Sequence, residues 1–184
     1  MIKTCAVMGQ RPTRFKFKYN EDYSLCKKIK KVMAEEFKRL YDEEDVRRIL
    51  VGGTLGVDMW AGEIVLRLKE TPGYENFELI VVLPFAKIDE HWDSRSQKRL
   101  AFLIRHSEQH LIVGENSGKE SYIKRNHYMM EHADYLLAVS DSGCEPGSAI
   151  MKLVNYSTKE KMYVVMIHPD TAKICRVSCL PGCK

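Results

Sequence analysis

A doubly wound α/β domain is the fold this sequence predicts, on three observations: short runs of valine, isoleucine and leucine, helix-period apolar stripes between them, and the alternation of the two. The runs are 4–9 (TCAVMG), 47–53 (RRILVGG), 78–85 (ELIVVLPF), 110–114 (HLIVG), 135–140 (YLLAVS) and 162–168 (MYVVMIH). Each is too short for a helix and too uniformly apolar for a half-solvated strand, so each reads as a strand buried on both faces.

The stripes follow in order. Cys26, Ile29, Met33, Phe37 and Leu40 mark one helix, and Val57, Trp60, Ala61, Ile64, Val65 and Leu68 a second. Leu100, Leu103 and Ile104, then Ile123, His127 and Met130, then Ile150, Leu153 and Val154 mark three shorter ones. Six strands and five helices in alternation, joined by right-handed crossovers, give a Rossmann-like, mostly parallel sheet of about six strands with helices on both faces. The length of 184 residues suits one domain, assigned to 1–174. Periodicity fades over 175–184, which reads as a cysteine-containing tail.

Hydrophobic residues make up 45% of the chain and charged residues 29%, an ordinary globular balance. No apolar run reaches the roughly 20 residues of a spanning helix, and no signal peptide is evident, so a cytoplasmic location without membrane contact is expected. The net charge of +4 suits a phosphate-bearing ligand but is small for a nucleic-acid footprint. Six cysteines without a secretory signal are expected as reduced thiols. The terminal Cys175, Cys179 and Cys183 lack the paired C-x2-4-C spacing of structural zinc sites. His168 is the one candidate fourth ligand, and neither a metal nor a cofactor is expected.

In open α/β sheets ligands bind beyond the carboxyl ends of the strands, where helices begin with unpaired amides. The loop after the second strand, GGTLGVD, carries Gly52, Gly53, Thr54, Gly56 and Asp58. Glycines there let the chain turn sharply and approach an anion, which makes the loop a candidate phosphate cradle. It is neither the dinucleotide fingerprint nor a P-loop, and tight strand-to-helix packing is the plainer reading. Asp58, in the first helical turn, either caps amides or accepts a ribose hydroxyl. After the first strand, Gly9 ends the run and Arg11 is a candidate anion clamp. Before the fifth helix stand Gly143, Gly147 and Ser148, a second candidate anion site. Arg125 and Asn126, near the start of the fourth helix, are candidates to orient a phosphate or a base.

From Arg14 to Tyr19 cations and aromatics alternate, a pattern that suits single-stranded nucleic acid but equally an amphipathic loop folded over the core. Asp58, Glu131, Asp134, Asp141 and Glu145 are available for acid-base work, and no spacing singles one out, so no catalytic residue is assigned.

Taken together, GQRP, GGTLGVDMWAGE, LPF, KRNHYMMEHADYLLAVSD and GSAIMKLV resemble the SLOG superfamily, most closely its YpsA-like branch of small bacterial proteins. The resemblance spans roughly residues 2 to 168, with the motifs in family order. It implies a Rossmann-like domain that binds nucleotides or nucleotide-derived ligands, often as a homo-oligomer. The ligand-facing candidates it carries over are Gly9, Arg11, Gly52, Gly53, Gly56, Asp58, Arg125, Asn126, Gly147 and Ser148. The superfamily also holds the LOG phosphoribohydrolases, whose R-K-x-x-M arginine matches Arg125. Here Asn126 replaces the lysine, and no glutamate follows Ser148 at the corresponding place. An N-glycosidase would therefore need another carboxylate, with Glu145 or Asp141 the candidates. DprA members bind single-stranded DNA through a related domain, which is the third reading for this chain.

Overall fold

The computed structural model describes residues 2–141, 147–157, 159 and 161–179. The elements in chain order are β1 (Lys3–Gly9), a single 3-10 turn (Pro12–Arg14), α1 (Ser24–Glu44), β2 (Val46–Val51), α2 (Val57–Lys69) and β3 (Glu78–Leu83). Then follow α3 (Ser94–His106), β4 (Gln109–Ile112), α4 (Lys119–Glu131), β5 (Tyr135–Val139), α5 (Ala149–Val154), β6 (Met162–Ile167) and β7 (Ile174–Cys179). They form one sheet in the order β4-β3-β2-β1-β5-β6-β7, parallel throughout except that β7 runs antiparallel to β6. The α/β, Rossmann-like reading therefore holds. No described helix is long and apolar enough to cross a membrane.

Alternation along the strands builds two cores. Cys5 and Val7 of β1, with Ile49, Val51, Leu79, Val81 and Leu137, face α1, α2 and α3. Ala6 and Met8, with Leu50, Ile80, Val82 and Leu136, face α4 and α5. Side chains of a strand point to opposite faces in turn, so a run apolar at every position is what a sheet covered on both sides requires. The whole α1 stripe from Cys26 to Leu40 is fully buried, and the helix stops at Asp45, whose left-handed φ of 59° directs its amide back to the Leu40 carbonyl.

Three local expectations change. β4 is an edge strand with Gln109, His110 and Ile112 exposed, so it is not buried on both faces. On α4 the buried residues are Ser121, Met129 and Met130, while Ile123 faces solvent at 40% exposure. Finally, Ile174–Cys179 is a strand, although the loss of periodicity predicts a tail from Cys175. β7 needs only a hairpin to pair with β6, and that turn is closed by the His168 amide donating to the Lys173 carbonyl and the Ala172 amide to the His168 carbonyl. Arg176 then clamps it from outside, with Nε and Nη2 donating to the two oxygens of Glu36 on α1 at 3.1 and 2.5 Å. Cys175 is an exposed free thiol; Cys183 and the Cys179 side chain lie outside the described residues.

The alternating stretch folds inward. Phe15 and Phe17 are buried, stacked on each other with centroids 4.9 Å apart and packed on Trp60 of α2. Arg14, Lys16 and Lys18 remain outside, and Tyr19, 62% exposed, is the only ring of the stretch open to solvent. Glu21, at the end of this loop, ties three helices together. Its carboxylate accepts from Lys30 of α1 and from Arg99 of α3, and Arg99 also donates to Glu63 of α2 at 2.6 and 2.9 Å. Burial alone would raise the Glu21 pKa, but the hydrogen bonds from Arg99 and Lys30 outweigh it and bring the group from 4.5 to about 2. A folded-state pKa below the unfolded one contributes stability that is complete above about 4.5 and disappears as the pH falls toward about 2. Thermal melts between pH 6 and pH 2 are expected to bring wild type and Glu21→Gln together across that window. Parallel curves for the two proteins would disprove the linkage.

Candidate functional site

The strand order reverses direction between β1 and β5, the position at which an open α/β sheet leaves a crevice beyond its strand ends. There a cleft of about 470 Å³ opens, lined among others by Gly9, Arg11, Tyr19, Thr54, Asp58, Trp92, Tyr122, Arg125 and Asn126. A smaller recess of about 120 Å³ continues from Gly9, Asp58, Arg125 and Asn126 toward Ser140 and Ile150. The volume of the main cleft falls in the range of small-ligand sites.

At its floor Arg125 is held on three sides. Nη1 donates to the Gly52 carbonyl at 3.0 Å and lies 3.5 Å from Asp58 Oδ2, while Nε and Nη2 donate to Asn126 Oδ1 at 3.1 and 2.9 Å. The guanidinium also sits 5.6 Å above the Tyr122 ring. Asp58, 5% exposed, accepts the Thr54 amide at 3.1 Å and the Thr54 hydroxyl through the same Oδ2. The carboxylate thus fixes the loop that precedes its own helix and pairs with a cation that is itself nearly buried.

The glycines of this loop have separate duties. A β-carbon at Gly52 would stand 2.2 Å from Arg125 Nη1, so the glycine leaves the space the guanidinium fills. Gly53 (φ +70°) turns against Leu83, and Gly56 (φ +90°) starts α2 in a conformation that L side chains resist, against Pro12. Gly9 lets Val57 approach β1, since a β-carbon there would lie 2.3 Å from its side chain. Close packing therefore explains Gly9, Gly52 and Gly53. No side chain caps α2 at Gly56, and Val57 and Asp58 of its first turn line the cleft. The helix presents unpaired amides and the positive end of its dipole near that space.

Of the sequence candidates, Gly9, Arg11, Thr54, Asp58, Arg125 and Asn126 meet at the cleft, with Gly52 directly beneath Arg125. Gly53 packs inward, and Gly56 lines the neighbouring pocket. Ser148 caps α5 by accepting the Met151 amide at 3.2 Å, and Gly147 (φ +82°) precedes it; neither lines the cleft. Asp141 faces Arg14 at 3.6 Å on the surface, and Asp134 clasps the Thr4 amide and Lys159. Gly143 and Glu145 lie outside the described residues. Sequence reasoning passed over Trp92 and Tyr122 as lining residues. Tyr122 precedes Arg125 by three positions, a spacing that puts both on one helix face and could have found it.

Together these features define a Rossmann-like α/β domain with a cleft at its topological switch point. The family model for YpsA, described as the YspA SLOG family, matches residues 5–172, and the chain belongs to that family. Similar proteins include UPF0398 proteins of Staphylococcus aureus strains JH9 and NCTC 8325 / PS 47. Each is 25% identical over 163 residues, covering 86% of this chain and 85% of the relative.

Proposed function

We propose that the cleft binds a nucleotide or nucleotide-derived ligand. The observation that carries this reading is the pairing of exposed or half-buried rings with cations in one small space: Tyr19, Trp92 and Tyr122 beside Arg11 and Arg125. Rings offer a base a stacking partner, and a guanidinium offers a phosphate a bidentate donor. Arg11 is exposed and meets no carboxylate among the described residues, so its charge is available, whereas Arg125 is anchored and would act as a fixed donor. The uncapped start of α2 adds amides suited to the same anion.

Binding is favoured over N-glycosidic hydrolysis because Asp58, the one carboxylate among the described lining residues, is committed to Thr54 and Arg125. Nucleic acid is the weaker reading, since Phe15 and Phe17 are spent on the core. A thermal-shift panel of nucleoside mono- and diphosphates, NAD, ADP-ribose and cyclic dinucleotides tests the proposal. A ligand present at 100 times its Kd adds about 2.7 kcal/mol, or roughly 5–10 °C for a domain of this size. Arg11→Ala is expected to weaken the response by about 10-fold in Kd, as befits one lost charge-assisted contact. No stabilisation by any member, or a response indifferent to Arg11→Ala, would overturn it.

A further inference from the structure

Beside the cleft, and sharing Pro12, Tyr19 and Leu55 with it, lies a second pocket of about 590 Å³ between the 15–22 loop and the first turn of α3. We propose that this pocket is an anion site for a phosphate-bearing group. The inference is independent of what the cleft binds.

Its lining carries five cations, Lys18, Lys27, Lys30, Arg95 and Arg99, against three carboxylates. All three carboxylates are already engaged. Glu21 holds Lys30 and Arg99, Asp93 caps α3 by accepting the Arg95 and Ser96 amides and the Ser96 hydroxyl, and Asp22 pairs with Lys27 at 3.4 Å. Among the described residues no carboxylate meets the side chains of Lys18 or Arg95. The charge left over in the pocket is therefore positive and sits on two exposed, adjustable side chains.

The back wall supplies a second, separate observation. Trp60 is 1% exposed, and its indole Nε1 is the one buried side-chain polar atom among the described residues without a hydrogen-bond partner. The N–H is directed at the Glu21 carboxylate, which it helps to hold ionised together with Arg99 and Lys30. An oxyanion beside Lys30 and Arg99 would alter the bonding of the Glu21 carboxylate that the indole N–H faces, which makes Trp60 a reporter of the pocket. Lys18 also holds a left-handed backbone (φ 50°), which turns the chain at the pocket rim and is unusual for a lysine.

The chain has two tryptophans, so a 1H–15N spectrum contains two indole signals, and Trp92→Phe identifies the one from Trp60. Titration with inorganic pyrophosphate at low salt is expected to move the Trp60 indole signal along a saturable curve. Lys18→Ala/Arg95→Ala should weaken that curve by at least about 10-fold, and the conservative Lys18→Arg/Arg95→Lys should retain it. Lys28→Ala, an exposed charge on α1 outside the pocket, should leave the curve unchanged. An indole signal that does not move, a curve undiminished in the double alanine variant, or equal weakening by Lys28→Ala would each overturn the proposal.

Discussion

Replacing Glu36 with alanine is expected to lower stability by about 3 kcal/mol, or roughly 6–12 °C in Tm for a domain of this size. Glu36 is 1% exposed on α1 and accepts from two arginines: Arg39 on its own helix at 2.8 Å, and Arg176, which arrives from β7. Removing one member of a buried pair leaves charge without compensation, which costs about 3–5 kcal/mol. The lower end applies here because the Arg176 side chain is half-exposed and can turn to water. Arg39 has less freedom. Burial would lower its pKa, yet bonds to Glu36, Glu43 and Glu44 raise it, a sign that the guanidinium depends on these carboxylates. Glu36→Gln keeps the volume and one acceptor, so it should lose less. The loss should also be local: hydrogen exchange at the β7 amides is expected to accelerate more than at β1 or β2, since β7 is an edge strand held outside the parallel sheet. A Tm within about 2 °C of wild type would show that the clamp is dispensable.

The same clamp explains why β7 was hard to read from sequence. ICRVSC has neither the continuous apolar character of an inner strand nor a clean alternation, because its outer neighbour is water and its hold on α1 is ionic. Strands enclosed by helices are legible, since burial on both faces favours a continuous apolar run, as over 5–8 in β1, 79–83 in β3 and the whole of β5. Edges relax that demand, which is why β4 matched the pattern yet is largely exposed. The α4 stripe failed for a related reason. Its apolar residues cover only a narrow contact at Met129 and Met130, while Ile123 points to solvent and Tyr122 packs on Phe85 edge-to-face at 5.7 Å.

Legibility at the cleft divides along similar lines. Gly9, Arg11, Thr54 and Asp58 were accessible to motif reading because they stand at or just after strand ends or in a first helical turn, where position in the chain fixes position in the fold, whereas Arg125 and Asn126, expected near the start of the fourth helix, lie in the middle of α4 and reach the cleft from there. What motifs did not reveal is which glycines line the cleft and which accommodate a neighbour. That depends on partners distant in sequence, Leu83 for Gly53 and Arg125 for Gly52. The second pocket was invisible for the same reason. Its cations come from the 15–22 loop, α1 and α3, and only the folded chain reveals that its carboxylates are already engaged while two of its cations are not.

Asp58→Ala is expected to damage both stability and the cleft, and a double variant separates the two effects. The substitution removes the acceptor of the Thr54 amide and hydroxyl and, among the described residues, the only carboxylate paired with the Arg125 guanidinium, whose side chain is 11% exposed. A loss of about 3–5 kcal/mol follows from leaving that cation uncompensated. If the cation is the main cause, Asp58→Ala/Arg125→Met should be less destabilised than the sum of the two single changes by about 1–3 kcal/mol, the coupling expected of residues in contact. If the lost Thr54 bonds dominate instead, the two changes should add, because Arg125 takes no part in them. Gly52→Ala presses on both partners at once: its new β-carbon would stand 2.2 Å from Arg125 Nη1 and 2.9 Å from Asp58 Oδ2, the oxygen that holds Thr54, so it should displace the guanidinium and disturb the Thr54 bonds together. Denaturant melts of the four proteins in the cycle therefore decide between a paired site and a capped turn that happens to lie beside an arginine.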